Sequence, residues 1–177
     1  VSLADAFKGL AAGNTLQIFA GDYSGNFAVN KENVTVIGEV DAEGNNLVLI
    51  NGKLSVSGKG ITVKNINVTN SGNALGIGGS DITIEHCNLN GGNGVRSAYA
   101  SGLVTFRNSI ITGATYGIHF DGSTGGEIVI EDCVVTGWTS FASSISKVTI
   151  TSTKFEEGNY NVVRFYQNAT VTDCEFN

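Results

Sequence analysis

The sequence predicts an all-β fold, a parallel solenoid of short coils. Three observations carry it: an eight-residue motif recurring at a nearly fixed interval, a period-two apolar pattern inside each copy, and 24 Gly with no Pro. Copies begin at Ile61, Ile82, Val104, Ile128, Val148 and Ala169, at offsets of 21, 22, 24, 20 and 21 residues. Self-similarity at such a period marks a stacked repeat. Positions 1 and 3 of the motif are apolar, as in Ile61/Val63, Ile82/Ile84 and Val104/Phe106, which fits a strand with one buried face. The phase slips between positions 3 and 6, so the chain must bend there. Position 5 supplies Asn65, His86, Asn108, Asp132, Ser152 and Asp173, residues suited to tight or left-handed turns. A third apolar segment follows a Gly, Asn or Ser break, at 74–77, 94–98, 117–120, 141–145 and 162–166. Three short strands therefore make one coil of about 20–24 residues. Residues 1–177 read as one β-helix domain, with coils over 14–177. Gly, Asn and Ser supply the bends, whereas Pro would remove ladder hydrogen bonds from strands flanked on both sides.

Stacked coils lie about 4.8 Å apart, so equivalent residues form columns along the axis. Positions 1 and 3 fill the interior. Position 6 (Ile66, Cys87, Ser109, Cys133, Thr153, Cys174) is an inward column of mostly small residues. The three cysteines have no metal-ligand spacing, and Cys87 and Cys133 stand two coils apart, too far for a disulfide. They read as core filler. Outward position 4 begins Lys64, Glu85, Arg107, Glu131, a solvated ladder of alternating charge. Outward position 2 is nearly all Thr, interrupted by Val129, and suits a strand through its β-branch alone. Ice binding would need a flat T-x-T array, which only Thr149/Thr151 and Thr170/Thr172 provide.

At the N-terminus, Ser2 and Asp5 resemble a capping box, and Leu3, Phe7 and Leu10 share one helical face. A short helix over 2–11 follows, stopped at Gly13 and covering the open first coil. Residues 15–19, the turn 20–23 and the segment 33–38 form the first rungs, with 47–50 and 54–56 completing the next turn. This opening, with Gly13-Asn14-Thr15 before a strand and Gly21-Asp22-Tyr23 after it, resembles that of pectate-lyase-like, right-handed parallel β-helix proteins. The later copies are similar to the repeat of carbohydrate-binding proteins and sugar hydrolases in that superfamily. The resemblance implies a single-stranded right-handed parallel β-helix, and it is poor in information about activity.

The charge balance of 10 basic against 16 acidic residues argues against a nucleic-acid or anionic-membrane surface. No apolar run approaches a membrane span, and no signal segment opens the given chain. Enzymes of the superfamily carry motifs that this sequence lacks. His86 and His119 are followed by Cys87 and Phe120, not by the Gly of a polygalacturonase His-Gly element. Neither the paired-aspartate motifs of pectin methylesterases nor an aspartate cluster of the kind pectate lyases place around Ca²⁺ is found; the loop 121–127 is a weak ion-binding resemblance. No metal or cofactor is expected.

One constellation remains on the third strand. With Val95, Ile118 and Val163 inward, Arg96, His119 and Arg164 point outward in one column with Ser143 between the last two. Asp121 and Tyr166 stand in a neighbouring column with Ala98. His119, Asp121, Arg96 and Arg164 are the catalytic candidates if the chain is an enzyme. With Tyr99 and Tyr166 they are also the ligand-binding candidates, and Tyr116, Trp138 and Tyr160 fall on turns of the same half. One carboxylate stands where glycoside hydrolysis ordinarily uses two. The expected function is a non-catalytic structural or glycan-binding module displayed on a virion or cell surface, as decoration, fibre or adhesin. The alternative is a small polysaccharide lyase or glycoside hydrolase. An open last coil at the C-terminal end calls for chain continuation, a protein partner or an oligomer.

Overall fold

A computed structural model describes residues 1–98, 100–121, 125–156 and 162–177. All strand pairings within its two sheets are parallel and follow chain order, so each coil lays one rung on the last. The first sheet has eight strands, from Thr15–Ile18 to Ala169–Thr172. Every turn leading out of it from the third coil on is left-handed at the expected residue. Asn65, His86, Asn108, Asp132, Ser152 and Asp173 have φ of 58, 52, 48, 51, 48 and 53°. The bend that the sequence pattern demanded is thus built by residues that tolerate positive φ.

The two ends of the pattern differ from expectation. The helix spans only Leu3–Lys8 and stops at Gly9. Glycine weakens a helix, and the chain must turn there so that both Phe7 and Leu10 reach the core. Phe7 stacks on Phe27 at 5.0 Å and covers the first coil. Gly13, left-handed at φ 78°, instead donates its N–H to the Glu32 carbonyl at 2.9 Å and starts the coil. The expected turn at 20–23 is a strand, Gly21–Ser24, paired with Val48–Asn51, because Tyr23 turns its ring toward the core. In the last coil the interior positions lie open: Val171 is 40% and Phe176 48% exposed, and Phe176 rests on Phe155 at 5.3 Å.

The interior is the predicted set of columns. Val63, Ile84, Phe106, Ile130 and Ile150 are buried, and so are Ile66, Cys87, Ser109, Cys133 and Thr153. Hydroxyls in that small column accept from the next backbone: Cys87 N–H to Ser109 Oγ (3.1 Å) and Cys133 N–H to Thr153 Oγ1 (3.3 Å). Burial pushes the Cys87 thiol up to about 12 and the Cys133 thiol up to about 11, so neither is a nucleophile. The outward charges pair two by two, Lys64–Glu85 at 3.2 Å and Arg107–Glu131 at 2.9 Å. Such exposed pairs contribute little to stability.

The second and third strands of the middle coils are not separate. They run as single strands, Asn67–Ile77, Asn88–Ser97 and Ile110–Phe120, and the corner between them is taken up by register shifts in an unbroken ladder. This corner positions the candidate site.

Candidate functional site

On a regular strand Tyr116 and His119, three residues apart, would face opposite sides. Gly117 and Ile118 are both buried, and the shift at this point turns Tyr116 and His119 to the same outer face. A Cβ at Gly117 would sit 2.7 Å from Val135 Cγ1 and 2.8 Å from the Thr136 carbonyl, so the kink needs glycine. The same two-residue inward step recurs at Gly94–Val95 and Ala74–Leu75.

The outward column runs Gly76, Arg96, His119, Ser140, Arg164 by register. The expected column of Arg96, His119 and Arg164 therefore exists, but Ser140 replaces Ser143 between the last two. The strand Val134–Phe141 crosses the corner with fewer residues than its neighbour, and a threonine, Thr139, takes the inward position paired with Ile118. An apolar search of the sequence passes over Thr139 and lands three residues late. Arg164 donates to Ser140 Oγ at 3.0 Å.

A second column lies at the corner itself. Asn73, Asn93, Tyr116 and Trp138 are in register. Asn93 donates to Asn73 Oδ1 at 2.7 Å, and beyond that ladder the column turns aromatic. Tyr116 and Trp138 stack at 4.8 Å, and the His119 ring stacks on Tyr116 at 4.0 Å. The Arg164 guanidinium sits 4.7 Å from the Trp138 ring and 4.9 Å from the Tyr166 ring. His119, Tyr116, Trp138, Arg164 and Tyr166 thus form one pile along the solenoid axis. The Tyr116–Trp138 step spans neighbouring coils, the His119–Tyr116 step lies within one strand, and each step is an aromatic or cation–π contact. The sequence placed Tyr116 and Trp138 merely on turns. Their shared position, aligned with Asn73 and Asn93, is hidden by coils of unequal length.

At the other end of the pile, Arg96 pairs with Asp121 at 2.7 Å. His119 Nε2 lies 3.9 Å from Asp121 Oδ2, beyond hydrogen-bond reach. Burial lowers the His119 pKa, with Asp121 opposing and Arg96 and Arg164 adding to the shift. The imidazole is therefore neutral at pH 7. Its Nδ1 has no hydrogen-bond partner among the described residues. Tyr99, Tyr160 and part of the loop 121–127 lie outside the described residues.

Chemically, the column offers one carboxylate, already held by a guanidinium, beside a neutral imidazole. Among the described residues no second carboxyl group stands beside Asp121 on this column for glycoside hydrolysis through two carboxyl groups. Among the described residues no group of three or more His, Cys, Asp or Glu is placed to hold a metal ion, and Asp121 is committed to Arg96.

Coils, left-handed turns and the capped first rung define a parallel β-helix. A solved structure shares this fold. A pectin methylesterase mutant in complex with a hexasaccharide aligns with TM-score 0.58 and 13% identity, over 96% of this chain and 76% of that one. Pectate lyase Pel9A aligns with TM-score 0.44 and 13% identity, over 100% and 72%. No protein-family profile and no curated protein sequence matches the chain. At such identity the likeness is one of fold.

Proposed function

We propose that this β-helix is a non-catalytic binding module that holds a glycan chain along the outer face from Arg96 to Tyr166. The observation that carries the reading is the continuous pile of His119, Tyr116, Trp138, Arg164 and Tyr166. The ring edges of the stacked row give a sugar chain apolar contact along its length, and the flanking guanidiniums give it hydrogen-bond donors. Tyr166 is 58% exposed and stands at the edge of this platform. Display on a virion or cell surface, as decoration, fibre or adhesin, suits a fold whose whole length is scaffold. The open last coil, with Val171 and Phe176 exposed, suits the addition of a further strand, from a neighbour or from continuation of the chain. Binding of immobilised polysaccharides, and its loss in Trp138→Ala, tests the glycan reading; a wild-type protein that retains none of them ends it.

A second reading rests on the neutral His119 beside the Arg96–Asp121 pair. In a small polysaccharide lyase or hydrolase these three, with Arg164, would carry proton transfer and charge stabilisation. The fold likeness to a pectin methylesterase is compatible with it. Product formation abolished by His119→Ala would establish this alternative over the first.

A further inference from the structure

Beyond Arg96, away from the aromatic pile, the same face continues onto two earlier coils. Ser55 and Gly76 precede Arg96 in the outward column. Here a groove of about 260 Å³ opens, lined by Lys53, Ser55, Ser57, Gly76, Gly78 and Arg96 among others. The absence of a side chain at Gly76 makes the space: a Cβ there would lie 2.8 Å from Lys53 Cε and 3.3 Å from its Nζ. The lysine therefore lies across the gap, half-buried, with its ammonium one coil from Arg96. Among the described residues no carboxylate is within ion-pair distance of Lys53.

The charge count is unusual for this chain. The protein carries a net charge of −6, yet among the described residues this face gathers Lys53, Arg96 and Arg164 against the one carboxylate Asp121. An ammonium with no internal partner, held over a gap between serine hydroxyls and a guanidinium, has the makings of an anion subsite. We propose that the Lys53–Gly76–Arg96 groove binds an anionic substituent of the glycan, a carboxylate or a sulfate ester, and that Lys53 is the residue that selects it. Gly76 keeps the subsite open. Gly76 and Trp138 lie three coil steps apart, about 14 Å at 4.8 Å per step. The anionic group is therefore carried two or three sugar units from the ring that rests on the aromatic pile.

This inference rests on the glycan-binding reading, and the test separates the two. Wild type, Lys53→Ala, Gly76→Val and Trp138→Ala are compared on an immobilised panel of neutral, uronate-containing and sulfated polysaccharides. Both groove substitutions face outward, and circular dichroism confirms that the variants fold. Wild type prefers anionic members. Lys53→Ala and Gly76→Val lose that preference by about tenfold, the scale of one charge-assisted contact, with neutral binding unchanged. Trp138→Ala weakens both kinds. The uronate and sulfate arms tell which anion the subsite takes. Equal binding of neutral and anionic members by wild type, or an anionic preference that survives both groove substitutions, overturns the subsite while leaving glycan binding intact. No retention of any member by wild type overturns both.

Discussion

Trp138 is the middle of the aromatic pile, so removing it probes the functional face most directly. In Trp138→Ala, Tyr116 loses its stacked partner at 4.8 Å and the Arg164 guanidinium loses the ring at 4.7 Å. An aromatic pair contributes about 0.5–1.5 kcal/mol beyond its buried area, and a cation–π contact at a partly exposed site about 0.5–1 kcal/mol. Together they predict a stability loss of about 2 kcal/mol, measurable as a lower midpoint in urea. The variant remains folded, since the ring lies outside the columns of the core. For binding, truncation of a central aromatic anchor costs about 2 kcal/mol or more, about thirtyfold in Kd. Trp138 is the only tryptophan in the chain, so glycan titration of the wild type is read by its own fluorescence and that of the variant by calorimetry. Trp138→Phe keeps a ring in the pile and recovers most of the affinity. A folded Trp138→Ala protein that binds within twofold of wild type would refute the role assigned to the pile.

Other predictions follow from the turns, the core and the site. Asp132 is exposed at φ 51°, so Asp132→Val forces a β-branched residue into the left-handed region and costs about 2 kcal/mol in denaturant melts, while Asp132→Gly is near neutral. Because His119 resists protonation in the fold, the unfolded chain takes up more protons below the ordinary imidazole value of 6.5. Stability therefore falls as pH drops below it, and His119→Gln flattens that part of the profile. Native protein treated with a thiol reagent at pH 8 is modified at the half-exposed Cys174, with Cys87 and Cys133 reacting only after denaturation.

The solenoid was legible in the sequence because its signals are periodic and local. A left-handed turn at Asn65 or Asp132 needs only a residue type and a position, and the columns through Val63 and Cys87 follow from simple alternation. The corner was less legible. Which residues share the outer face there depends on how many each coil spends crossing it, and coils of 20 to 24 residues spend different numbers. That arithmetic hid the Tyr116–Trp138 stack, exchanged Ser140 for Ser143, and fused second and third strands that the apolar pattern reads as separate. The Arg96, His119 and Arg164 column survived because an apolar neighbour in each strand, Val95, Ile118 or Val163, fixes which side it faces. Lys53 was out of reach: it enters the face from a turn, over a gap at Gly76 that no motif marks.

On the proposed reading this face holds a glycan and leaves it intact. Prolonged incubation with each polysaccharide the protein retains, followed by assay of new reducing ends, unsaturated ends and released methanol, tests it most directly. Retention with none of the three products is the expected result. Any of them appearing in wild type and vanishing in His119→Ala would contradict it and make the chain an enzyme.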